Sequence, residues 1–141
     1  MAHQYNATAT VDPDSLVKLE IEGLASMESG PPKEFGGSGE QWSPEDLLIA
    51  AVADCFVLSF KAVATASKFQ WTSLSCTATG TLDKVERAMQ FTALNIKASL
   101  TVPADADVER AKALLQKSES VCFITNSLKA QKTLEIEVTA A

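Results

Sequence analysis

Ser43-Pro44-Glu45-Asp46-Leu47-Leu48-Ile49-Ala50-Ala51-Val52-Ala53-Asp54-Cys55-Phe56 is the stretch on which the fold turns. Ser43 suits an N-cap, Pro44 the first helical position, and Glu45 and Asp46 lie favourably at the positive end of the helix dipole. From Leu47 to about Lys68 there is neither Gly nor Pro, so the spacing predicts one long helix. On its wheel Cys55 shares a face with Leu48, Ala51, Val52, Ser59 and Ala62, while Ile49, Phe56, Phe60 and Val63 cover the opposite side. Only Asp54 and Lys61 mark a polar strip. A helix apolar on nearly every side belongs at the centre of a structure, covered by more than one layer.

Outward from this helix, strands dominate. Tyr5 to Val11 alternates in period two, Asp12-Pro13-Asp14-Ser15 supplies a turn, and Val17, Leu19 and Ile21 alternate with Lys18, Glu20 and Glu22, so a hairpin is expected. Ser26 to Gly39 shifts to Gly, Pro, Ser and charge, and reads as a long functional loop. Beyond the helix, Leu74, Cys76 and Ala78 define one strand. After a turn near Arg87-Ala88-Met89, Leu94, Ile96, Ala98, Leu100 and Val102 define another. Asp105 or Asp107 can cap a second helix with Val108, Ala111, Leu114 and Leu115 inward, breaking near Ser118-Glu119-Ser120. Leu134, Ile136 and Val138 mark a last strand. This order is α+β, and neither repeat nor linker divides residues 1–141, so one domain is expected.

With 141 residues, 46% hydrophobic and 21% charged, the chain can bury a core. A net charge of −6 argues against nucleic acid and anionic membrane surfaces as partners. The longest apolar run, Leu47 to Ala53, stops at Asp54, so no membrane span is expected. Met1 to Asn6 lacks the basic and apolar regions of a signal peptide, and the expected location is the cytoplasm.

The three cysteines, Cys55, Cys76 and Cys122, are far apart and form no disulfide framework, and His3 is the only histidine. Zinc sites and His-based triads are therefore not expected, which leaves thiol chemistry. Cys76 alternates onto an apolar strand face and reads as a small core residue. Cys55, in mid-helix, gains little from the helix dipole and by itself reads as structural. Cys122, beside the Ser118-Glu119-Ser120 break and a following helical start, has the better electrostatic setting.

The Ser43–Phe56 segment and the Phe35-Gly36-Gly37 loop resemble the signature of the OsmC/Ohr family of thiol-dependent peroxidases. Ser118-Glu119-Ser120-Val121-Cys122-Phe123-Ile124-Thr125-Asn126-Ser127-Leu128 is similar to that family's second cysteine segment. Phe91-Thr92 through Leu100-Thr101-Val102-Pro103 follows its strand pattern. The resemblance implies an OsmC-like α+β fold, long central helices wrapped by antiparallel sheets in an intertwined homodimer, with two active sites at the interface. It implies reduction of organic hydroperoxides and hydrogen peroxide in oxidative or osmotic stress defence. By motif position Cys55 matches the peroxidatic cysteine, Cys122 the resolving one, and Glu45 the glutamate that organises the site. An external dithiol, of which a lipoylated protein is one form, would reduce the Cys55–Cys122 disulfide, with no metal, flavin or haem.

One departure stands out. Family members activate the thiolate with an arginine from an N-terminal loop or strand, whereas here the only arginines, Arg87 and Arg110, follow the Glu45 motif. Lys33 is the nearest cation in a comparable loop; either it takes the arginine's place or the chain is a weak, divergent peroxidase. A mid-helix thiol in apolar surroundings is expected to have a raised pKa and to need such a cation. Two rivals are the same fold used as a small-ligand binding module with the cysteines merely buried, and a hot-dog thioesterase with Glu45 or Asp54 as base.

Overall fold

A computed structural model describes residues Met1–Ala141 in two compact units, residues 1–48 and 49–141. In the first, β1 (Thr8–Thr10), β2 (Val17–Glu20) and β3 (Met27–Ser29) form an antiparallel meander with Thr8 opposite Glu20 and Val17 opposite Ser29. The expected hairpin is there, its turn closed by Ser15 N–H to the Asp12 carbonyl at 3.1 Å. Its first strand begins at Thr8, because Tyr5, 93% exposed, has nothing to pair with.

The Ser26–Gly39 segment is more ordered than its composition suggests. It contains β3, which completes the free edge of β2, and a short 3-10 helix, Lys33–Phe35. Gly36 ends that helix at φ 97°, a left-handed geometry that favours glycine. A Cβ on Gly37 would lie 1.8 Å from the Pro31 carbonyl oxygen, so this loop closes only around glycine.

The long helix, α1 (Pro44–Ala66), starts in the first unit and runs through the second. Ser43 Oγ accepts from the Asp46 N–H at 3.0 Å and Asp46 Oδ2 accepts from the Ser43 N–H at 3.1 Å, a reciprocal cap that satisfies two orphan donors. At the other end Lys68 takes φ 53°, with Lys68 N–H on the Thr65 carbonyl and Phe69 N–H on that of Ala64. That Schellman closure stops the helix two residues short of Lys68.

In the second unit β4 (Ser73–Val85) and β5 (Ala88–Val102) form an antiparallel ladder around a two-residue turn, with Glu86 at φ 59°. The chain then passes through α2 (Val108–Ser120) and α3 (Phe123–Asn126) before β6 (Gln131–Ala140). The expected antiparallel pairing holds for β1–β2, β2–β3 and β4–β5, while β6 lies parallel to β5, with Ala93 opposite Gln131. Parallel neighbours require a crossover, and the α2–α3 segment provides it. Asp107 caps α2, accepting from the Arg110 N–H at 3.1 Å.

The core lies between the helices and one face of this sheet. Val52, Phe56 and Phe60 from α1, Leu94, Ile96 and Leu100 from β5, and Ala111 and Leu115 from α2 are essentially inaccessible. A Cβ on Gly80 would come within 2.4 Å of Ile49 Cδ1 and 2.9 Å of the Phe91 ring, so this glycine lets α1 lie close to β4. The sheet's other face is polar, with Asn95 donating to Glu135 at 2.8 Å and accepting from Thr133 at 2.8 Å.

Burial of α1 on all sides is not reached within one chain. Its Val52-Phe56-Phe60-Val63 stripe is buried, but Leu58 remains 56% exposed and Ala62 is exposed too. The helix has 23 residues and a mean hydropathy of 2.1 over its most apolar 18, so by length and composition it is long and apolar enough to cross a membrane.

Candidate active site

The two chemically distinct faces of α1 separate core from site. Cys55 lies on the face that the core does not use, at the wall of an apolar cavity of about 520 Å³. Ala51, Leu58, Ala62, Val121, Phe123 and Ile124 supply most of its surface, and Asp54, Cys55 and Ser59 its polar atoms. Cys122, fully buried, sits in the extended conformation at the N-cap of α3, where the backbone leaves α2 through Val121.

These elements bring the Cys55 and Cys122 thiols near enough for each to shift the other's acidity. Burial acts to raise the Cys55 pKa, but it is outweighed by the Ile124 N–H, the Cys122 thiol, the Ser59 hydroxyl and the Phe123 N–H, leaving the thiol below its ordinary value. Each of these donors favours the thiolate. Cys122 moves the opposite way. Burial raises it, the Thr125 hydroxyl and N–H pull it down, and the neighbouring Cys55 pushes it up again. The two thiols are thus pushed in opposite directions, Cys55 down and Cys122 up.

This corrects two expectations. Cys55 does not have a raised pKa, and the start of α3 serves both thiols, its Phe123 and Ile124 N–H groups acting on Cys55 and its Thr125 N–H on Cys122, which occupies the cap. The physical reason is geometric: the first free N–H groups of α3 point at the sulfur of another helix. Cys76, half-buried in β4 against the core, is pushed up to about 11 by burial and by the charge of Cys122.

Glu45 lies in the first turn of α1, half-buried, with Oε1 enclosed and without a hydrogen-bond partner. Lys33 is exposed on the 3-10 helix, and its stem passes the position where a Gly39 side chain would start, at 3.5 Å. The two are not paired within one chain, whose ion pairs are Lys18–Glu20 and Lys112–Glu109. Arg110 is engaged elsewhere, on the Ser67 carbonyl and 5.6 Å above the Phe69 ring, and Arg87 sits in the exposed β4–β5 turn. Asp54 is exposed at the cavity edge.

An α+β scaffold that sets one cysteine in the wall of an apolar cavity, with a second buried close to it and the two thiols shifted in opposite directions, defines a paired-thiol class of protein. The pattern of the family described as OsmC-like protein matches residues 37–137, and the chain belongs to that family. Peroxiredoxin OsmC from Escherichia coli is 32% identical over 96 residues, a match spanning 68% of this chain and 66% of that relative, just under two thirds of its length. Among solved structures, an OsmC-like protein of unknown function from Vibrio cholerae superposes with a TM-score of 0.86 at 18% identity, covering 96% of this chain and 99% of the other. An organic hydroperoxide resistance protein from Elizabethkingia anophelis does so at 0.79 and 22% identity, covering 100% and 99%. At these identities the structures attest the fold.

The Phe123 and Ile124 N–H groups escaped the sequence reading, as any backbone donor does. Ser59 was visible on the Cys55 face, four residues on, but nothing in its type marked it as a partner of the sulfur.

Proposed function

We propose that this chain is a cytoplasmic, cofactor-free, cysteine-based peroxidase that reduces organic hydroperoxides and hydrogen peroxide, working as an intertwined homodimer in oxidative or osmotic stress defence. The observation that carries the reading is Cys55 in the wall of an apolar cavity with the buried Cys122 thiol close enough to shift its acidity. The Cys55 thiolate attacks the terminal oxygen of the hydroperoxide. The O–O bond breaks, the organic oxygen leaves and takes a proton from water, and Cys55 becomes a sulfenic acid. Cys122, still carrying its proton, then condenses with it, giving a Cys55–Cys122 disulfide and water. An external dithiol, such as a lipoylated protein, returns the pair to thiols and is itself oxidised.

Glu45 and Lys33 are assigned supporting roles. A buried carboxylate oxygen without a partner calls for a cation. Lys33 is the candidate for that place and for assisting the Cys55 thiolate. Open apolar surface on α1 and α3 supports the dimer: Leu58 of α1 at 56% and Phe123 of α3 at 81% exposure leave surface that a two-fold partner would cover.

Stoichiometric cumene hydroperoxide followed by peptide mapping tests the chemistry. The expected product is an intramolecular Cys55–Cys122 disulfide with Cys76 free, and Cys122→Ser is expected to stop at a Cys55 sulfenic acid that dimedone traps. Oxidation of Cys76 ahead of an inert Cys55 would overturn the assignment, and a ligand bound in the cavity with all thiols untouched would favour the binding-module reading.

A further inference from the structure

Ser59 is the one hydroxyl in the wall of the Cys55 cavity, and its bonding sets it apart. Ser118, Ser120, Thr125 and Ser127 each donate to a carbonyl three or four residues back, at 2.7 to 3.3 Å, as hydroxyls in and beside helices commonly do. Ser59 makes no such bond. Its one hydrogen-bonding partner is Cys55 Sγ, at 4.0 Å on the same face of α1. That separation is at the limit for a hydrogen bond to sulfur, and it leaves the hydroxyl free to reach an atom lying beside the thiolate in the cavity.

We propose that Ser59 is a catalytic residue of the peroxide site, donating a hydrogen bond to the organic oxygen as it leaves the hydroperoxide. The proposal rests on the peroxidase reading above and deepens it. When Cys55 attacks the terminal oxygen in line, the S–O bond forms, the O–O bond breaks, and the bonding pair goes to the second oxygen. Negative charge develops there, farther from the sulfur than the attacked atom. A hydroxyl one helical turn from Cys55 stands beside that path, in a cavity where Ala51, Leu58, Ala62 and Val121 offer the charge nothing, Asp54 would repel it, and the Phe123 and Ile124 N–H groups act on the sulfur. Ser59 keeps its proton; the alkoxide takes its own from water. A preformed donor held in place stabilises developing charge without the reorganisation that solvent needs. The role also matters chemically because no arginine precedes Glu45 to provide it.

The test uses the full chain with cumene hydroperoxide, following Cys55 oxidation by stopped flow, alongside alkylation by iodoacetamide across pH. Alkylation has no leaving oxygen of this kind and reports the thiolate alone. Ser59→Ala, which removes one half-buried hydroxyl and improves helix propensity, is expected to slow the peroxide reaction roughly tenfold or more beyond any loss seen in alkylation. Ser59→Thr, which keeps a hydroxyl, is expected to recover part of the rate. If the parent consumes hydroperoxide and Ser59→Ala loses no more than the alkylation profile accounts for, Ser59 is only a neighbour of the thiol and the proposal falls. If the parent consumes no hydroperoxide, the peroxidase reading fails first and takes this role with it.

Discussion

Phe56 and Leu58 stand two residues apart on α1, yet one is fully buried and the other 56% exposed, so truncating each probes a different face. Phe56→Ala empties the centre of the core between α1, β5 and α2. Phenylalanine-to-alanine changes in such positions cost about 3–5 kcal/mol, against a total domain stability of about 5–15 kcal/mol. Leu58→Ala removes little from the chain's own packing, and alanine and leucine are comparable helix formers. Its effect falls on whatever covers the open face. Full burial of a leucine is worth about 1.5–3 kcal/mol, and half of that remains to be gained at Leu58. Across a two-fold interface the residue counts twice, giving about 1.5–3 kcal/mol, or roughly 10- to 150-fold in the dimer dissociation constant. Urea unfolding measures the first variant, and sedimentation over a dilution series, with circular dichroism as control, measures the second. The two-faced reading of α1 is refuted if Phe56→Ala loses less than about 1 kcal/mol. It is equally refuted if Leu58→Ala sediments as the parent does at every concentration.

Three further outcomes follow from the site and its supports. Cys122→Ala removes a donor that favours the Cys55 thiolate while leaving the burial that opposes it, so the Cys55 pKa is expected to rise. Iodoacetamide labelling near neutral pH should slow and its pH profile move up, with Cys76, at about 11, labelled last; an unmoved profile would remove Cys122 as the donor. Lys33→Ala is expected to slow hydroperoxide reduction at neutral pH with the fold intact, and Lys33→Arg to preserve or raise the rate, since a guanidinium grips a carboxylate in two places. Equal rates for Lys33→Ala and the parent at every pH would make Lys33 an ordinary loop residue. Gly37→Ala drives a Cβ to 1.8 Å from a backbone oxygen, so the loop must shift at a cost of about 1–3 kcal/mol, read as a lowered thermal midpoint; an unchanged midpoint would show that the loop is not packed this way.

The sequence by itself determined what is local. The start of α1 was legible because Ser43 and Asp46, three residues apart, cap each other with their own side chains. The same holds for Asp107 at α2, and the alternation of β4, β5 and β6 announced their faces. The two cysteine segments were visible by their motifs. Three-residue β3 was not, because Met27–Ser29 has no period of its own and becomes a strand only on the edge of β2. The parallel register of β6 was hidden for a similar reason: alternation names a face, not a direction.

Only tertiary structure decided which thiol is the more acidic. Judged on its own helix, Cys55 is a desolvated sulfur and Cys122 a helix cap, which points to Cys122. Packing α3 against α1 brings the Phe123 and Ile124 N–H groups to Cys55, while Cys122 receives only Thr125 from that helix and is pushed up by burial and by Cys55. A backbone donor exists at every residue except proline and leaves no mark in the sequence, so its partner is known only once the chain has folded.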